Sequence, residues 1–142
     1  MANSGNAADG GGQFHSYYAD VTDKVEWANI RSGPSMDFAV LRWAIRGLPL
    51  LVLERQKEWS MVEDFRNRKG WIANSLLADH KSVILKSNNE KLLQGPNLED
   101  GIVKGLDYGT VMRIETAQGD WLKVVTREGI EGWLRKESVW PE

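Results

Sequence analysis

The sequence predicts an all-β chain built from two tandem copies of one small barrel, each of about five to six short strands. Three observations carry this expectation. The tryptophans repeat at a fixed interval: Trp59 and Trp121 are 62 residues apart, and so are Trp71 and Trp133. Residues 19–80 laid over 81–142 without a gap give ten identical pairs in 62, from Val21/Val83 and Lys24/Lys86 to Trp71/Trp133. Glycine, proline and tryptophan supply six of the ten, and these are the residues that geometry constrains most. Short apolar or alternating runs lie between turn signals, and no segment sustains a helical period.

The elements of the first copy follow in order. Ala19–Thr22 and Trp27–Arg31 read as short strands ahead of the Gly33-Pro34 turn, and a loop spans Ser32–Phe38. Leu48–Arg55 is the strongest strand, rich in apolar and β-branched residues. Gln56-Lys57 is a tight turn, and its counterpart Gln118-Gly119 carries the glycine such turns favour. Glu58–Asp64 alternates, with Trp59, Met61 and Glu63 on one side and Ser60, Val62 and Asp64 on the other. Phe65–Lys69 is a polar hairpin loop, Gly70–Ala73 the return strand, and Asn74–Leu77 a single helical turn. The organisation read from this is a flexible tail at 1–18, a first barrel at 19–80 and a second at 81–142.

Composition narrows the function. The net charge of −2 disfavours nucleic acid as a partner. No run approaches the roughly 18 apolar residues of a membrane span. The absence of cysteine removes disulfides, thiolate nucleophiles and cysteine metal sites. Residues 1–12 have neither a basic start nor an apolar core, so no signal peptide is read there.

The order Asn29-Ile30-Arg31-Ser32-Gly33-Pro34-Ser35, then Glu58-Trp59-x-x-Val62, then Gly70-Trp71-Ile72 resembles the bacterial SH3 domain family. The second copy keeps Gly95-Pro96, Asp120-Trp121-Leu122-x-Val124 and Gly132-Trp133-Leu134, and resembles the same family more loosely at its start. The resemblance covers about residues 19–140. It implies SH3-type barrels and a binding or scaffolding role in the periplasm or outside the cell. Its implied partners are a peptide, peptidoglycan or another protein. It brings no catalytic residues and no cofactor.

Catalytic signals are absent in the residues themselves. His15 lies in the tail and His80 at the join, neither with a nucleophile or metal ligand at a telling spacing. No GxSxG, HExxH or phosphate loop is present. The expectation is therefore a non-enzymatic binder. Trp71 and Trp133 follow a glycine in a strand and are expected first to close the core of each barrel. Trp59 and Trp121 divide between groove wall and core cover. Phe38, Trp43 and Tyr108 fall in the stretch corresponding to the long first loop of an SH3 fold. Phe38 and Trp43 beside Trp59 would make a shallow apolar platform, with Arg31 as the candidate anion partner. Packing within the chain competes with each of these roles. The hairpin tip Arg66-Asn67-Arg68-Lys69 is basic where its counterpart Glu128-Gly129-Ile130-Glu131 is acidic. It reads as a solvated turn or as a contact for an anionic group.

Overall fold

The computed structural model describes residues 14–142. Most of the stretch read as a tail, residues 1–13, lies outside the described residues. The remainder of that stretch is corrected at its end, because the first strand opens at Tyr17. The chain divides between His80 and Lys81 into two units. Each is one antiparallel sheet of seven strands, with no α-helix among the described residues.

The first unit runs β1 (Tyr17–Val21), β2 (Trp27–Arg31), β3 (Val40–Ile45), β4 (Pro49–Arg55), β5 (Trp59–Glu63), β6 (Lys69–Ala73), a 3₁₀ turn (Asn74–Leu76) and β7 (Leu77–Asp79). The second runs β8 (Ser82–Leu85), β9 (Glu90–Leu93), β10 (Ile102–Leu106), β11 (Val111–Gln118), β12 (Trp121–Val125), β13 (Glu131–Arg135), a 3₁₀ turn (Lys136–Ser138) and β14 (Val139–Trp140). The sheet orders are β3-β2-β6-β5-β4-β1-β7 and β10-β9-β13-β12-β11-β8-β14. Adding seven to each label turns one order into the other, so the sequence repeat is a repeat of topology.

The repeat has one slip. Gly47 N–H donates to Val21 O in the first unit, and Gly109 N–H donates to Leu85 O in the second. Thr22 N–H reaches Leu76 O, and Lys86 N–H reaches Ser138 O. The structural partner of Val21 is therefore Leu85 and that of Thr22 is Lys86. The pairs Val21/Val83 and Lys24/Lys86 in the gapless overlay are coincidental. The first unit simply spends two more residues between its first two strands. From Ala28 onward the 62-residue spacing holds, since Ala28 faces Ala44 and Glu90 faces Leu106.

Burial follows the period of two along each strand. In β5, Ser60 and Val62 point inward while Trp59, Met61 and Glu63 are half-buried on the other face, the split read from sequence. The cores are aliphatic. Ile30, Leu50, Val52, Val62 and Ile72 are buried in the first unit. Leu85, Leu92, Met112, Val124 and Leu134 belong to the buried cluster of the second. None of the seven tryptophans is buried. The expectation that Trp71 and Trp133 close the cores is corrected: each sits between a buried glycine and a buried aliphatic residue, and so points to the opposite face. The glycines explain the pattern. A Cβ on Gly70 would collide with Ile30 Cγ2, and one on Gly132 with Leu92. The core side chain of the neighbouring strand lies flat where the glycine has none.

Two bonding sets fix the ends of β5 and β6. Ser60 Oγ donates to Asn74 Oδ1 at 2.5 Å, and Asn74 Nδ2 donates to Gln56 O at 2.9 Å, tying the 3₁₀ turn to the hairpin before β5. Asp64, almost fully buried, organises the β5–β6 loop. Its Oδ1 accepts from the N–H groups of Arg66 and Arg68 at 2.9 and 3.0 Å, and its Oδ2 accepts from Arg68 Nε at 2.9 Å. Asn67 takes positive φ at the tip, where Gly129 does so in the second unit. Arg68 is thus spent on the fold, while Arg66 at the same tip stays exposed.

Candidate functional site

The β2–β3 hairpin carries the largest exposed rings of the first unit. Trp27 is 54% exposed and Trp43 70%, against 45% for Phe38. Register places them together: Trp27 faces Ile45 and Asn29 faces Trp43, so Trp27, Trp43 and Ile45 share one face. The two indoles meet with ring centroids 6.0 Å apart and planes inclined by 41°. The opposite face of the hairpin holds buried Ala28, Ile30 and Ala44. This alternation is what forces Trp27 and Trp43 outward.

Trp43 stands on a strand, not in the long first loop where the sequence reading put it. The ring that meets it is Trp27. Trp59 lies on the same sheet, but β2 and β6 come between it and Trp43. Phe38 does belong to the loop and packs on the Gly33-Pro34 turn. A Cβ at Gly33 would fall 2.5 Å from the Phe38 ring. Because that ring is half-exposed, it can swing into solvent. Gly33→Ala is therefore expected to cost only about 1 kcal/mol, read as a small fall in urea midpoint with the fold kept.

Arg31 latches this same loop. Its Nη1 donates to Met36 O at 3.1 Å and to Phe38 O at 2.9 Å. These two backbone acceptors give the side chain a local structural task. Arg42, on β3, donates from Nη2 to Lys69 O at 2.6 Å, and its Nε lies 3.8 Å from Asp64. A crevice of about 20 Å³, room for one water, lies among Arg42, Trp43, Leu50, Asp64 and Arg68. It is too small to enclose a ligand.

The remaining candidates belong to the second unit. Tyr108 is exposed in the turn between β10 and β11. Trp121 is half-buried, with the Arg135 guanidinium carbon 5.5 Å from its ring centroid. That cation–π contact occupies one face of the ring within the unit. Where the first unit has Trp27, Phe38 and Trp43, the second has Asn89, Asp100 and Gly105. The paired indoles are thus a property of the first unit.

Sequence reasoning passed over Trp27, because its partner is 16 positions away and joins it only through hairpin register. It also passed over the pairing of His80 Nδ1 with buried Asp20 Oδ1 at 2.9 Å, a contact across 60 positions. No cluster of three or more metal-ligating side chains occurs among the described residues. No helix among them is long and apolar enough to cross a membrane.

A family model described as the bacterial SH3 domain matches the chain twice, at residues 27–78 and 91–139. No curated protein matches it. Among solved structures it is similar to NlpC2 from Trichomonas vaginalis, with 10% identity and a TM-score of 0.41, covering 90% of this chain and 49% of that one. NlpC1 from the same organism gives 11% identity and a TM-score of 0.41, with coverage of 90% and 46%. An NlpC/P60 family protein from Bacillus cereus gives 14% identity and a TM-score of 0.41, with coverage of 87% and 55%. The chain spans about half the length of these structures.

Proposed function

We propose that this chain, which belongs to the bacterial SH3 domain family, is a non-enzymatic binding module whose first unit recognises a peptide or peptidoglycan-derived ligand. In this reading each seven-stranded sheet coils into an SH3-type barrel, and the module works in the periplasm or outside the cell. The observation that carries the reading is the exposed Trp27–Trp43 pair. Two large rings held in water by a rigid hairpin cost the free protein apolar exposure, and a ligand that covers them recovers it. Ile45 extends the platform along the same face. Trp59, Trp121, Phe38 and Tyr108 are the secondary candidates, and Arg31 serves by shaping the loop beside the platform.

Sedimentation with purified peptidoglycan tests this. The wild-type protein should co-sediment, and Trp43→Ala should lower the bound fraction as a roughly tenfold loss of affinity would, the scale of one buried aromatic anchor. Trp121→Ala, in the other unit, should bind as wild type. A wild-type protein that stays in the supernatant, or a Trp43→Ala chain that sediments equally well, would sink the reading. The alternative is a protein–protein scaffold of the cell envelope with no small ligand. Exposed Leu98, Ile102, Val103 and Tyr108 on the second unit favour it, since they offer apolar surface without a paired-ring platform.

A further inference from the structure

We propose that the free edge of β3 takes an added strand, an extended polypeptide segment with apolar side chains at alternate positions and a carboxylate opposite Arg46. The inference rests on the platform reading above and specifies how its ligand is held.

The argument begins with hydrogen-bond phase. β3 is the end strand of its sheet, and among the described residues only β2 pairs with it. Arg46 N–H donates to Glu26 O, so that facing pair is a bonded one. Bonded and non-bonded pairs alternate in an antiparallel ladder. Ala44 and Arg42 therefore bond to β2, while the backbone groups of Trp43 and Ile45 turn outward. Leu48 N–H takes the Ile45 carbonyl. Three outward groups remain: the N–H and C=O of Trp43 and the N–H of Ile45. Donor, acceptor and donor in this spacing match an extended backbone. The side chains of the same two residues are the exposed ones on the platform face. A strand laid here pairs its backbone and covers Trp43 and Ile45 together.

The corresponding edge of the second unit has a different composition. β10 holds the same place in its sheet, and Leu41 and Val103 are the bulged residues of the two edges. Beyond the bulge, β10 offers Lys104, Gly105 and Asp107 where β3 offers Arg42, Trp43 and Ile45. Charge and glycine on an edge discourage pairing, whereas an apolar edge invites it.

Charge selects the occupant. Arg42 is engaged with Lys69 O and Asp64. Arg46 is half-buried, and among the described residues its side chain has no hydrogen bond or ion pair, its cross-strand neighbour Glu26 included. A second copy pairing through both Trp43 and Ile45 would set Arg42 opposite Arg46 twice, and like charges directly opposite repel. A carboxylate on the incoming strand at that register is attracted instead.

The probe is a synthetic peptide of four Val-Glu repeats, capped at both ends. Tryptophan fluorescence reads its affinity and NMR amide exchange reads its pairing. In the free protein the Trp43 and Ile45 amides should exchange fast and those of Ala44 and Arg46 slowly. Bound peptide should slow Trp43 and Ile45. N-methylation of the valines, whose amides face β3, should weaken binding at least about tenfold, while N-methylation of the glutamates should change it less than about threefold. Arg46→Glu should reverse the preference toward a Val-Lys repeat peptide. The inference is overturned if the Val-Glu peptide does not bind at millimolar concentration, or if both methylated forms bind alike. Either result leaves the platform intact when peptidoglycan still sediments the protein in a Trp43-dependent way. A Trp43-independent sedimentation overturns both. Self-association through β3 at rising protein concentration would name a second copy as the occupant and overturn this one.

Discussion

Gly70→Val should lower the stability of the first unit by about 3 kcal/mol, enough to unfold a marginal domain at moderate urea. The position sits in β6 beneath Trp71. A Cβ there would strike Ile30 Cγ2 and lie 3.3 Å from Arg31 O. Ile30 is core, 3% exposed, so its side chain cannot move to solvent as the Phe38 ring can beside Gly33. Arg31 O is backbone in the neighbouring strand, and β2 and β6 are joined in register only at Arg31 and Trp71. Pushing them apart opens the sheet where it is least held. Gly105→Ala provides the contrast, since nothing lies within 4 Å of a Cβ there, and it should be neutral. Urea denaturation of the three chains checks the order. A Gly70→Val chain as stable as wild type would mean that the strand contact is looser than described.

Asp64→Ala should cost about 2 kcal/mol and loosen the β5–β6 loop. The carboxylate accepts three hydrogen bonds from Arg66 and Arg68 while nearly buried. Its removal leaves two loop N–H groups without their acceptor and Arg42 without its nearby charge. The Arg68 ion pair contributes little of this, because that side chain is 44% exposed and its charge is screened by water. Asp64→Asn separates the two terms by keeping an oxygen for the loop amides and deleting the charge. Thr126 does the same work in the second unit with one bond, its Oγ1 accepting from Ile130 N–H at 3.1 Å. Thr126→Ala should cost about 1 kcal/mol. Faster amide exchange at Arg66 and Arg68 in Asp64→Ala, with β4 unchanged, is the local signature to look for.

The parts of this fold that were legible in the sequence are those whose signal is local. β5 reads correctly because Trp59 through Asp64 alternates without interruption, and the 3₁₀ turn at Asn74–Leu76 announces itself by polar residues after an apolar strand. β3 was lost to a supposed loop. Its run Val40-Leu41-Arg42-Trp43-Ala44-Ile45 has no clean alternation, because the bulge at Leu41 resets the phase and little but Ala44 is buried. Tryptophan was misjudged for a related reason. Large apolar area suggests burial, but a seven-stranded sheet of this size has an interior that aliphatic residues already fill, and glycines let them fill it. The site depended on long-range register. Trp43 was visible as a candidate, yet Trp27 could be joined to it only once the hairpin pairing was known.

The outward placement of every tryptophan has a spectroscopic consequence. Indole emission follows the polarity around the ring, and here all seven rings already touch water in the folded chain. The emission maximum should start red-shifted and move little on unfolding, so fluorescence will underreport loss of the core. Acrylamide should quench the native protein readily, with Trp43 the most accessible ring. The same light becomes a sensitive gauge of events at the surface. A ligand that dries the Trp27–Trp43 pair should shift the spectrum to the blue while circular dichroism stays still.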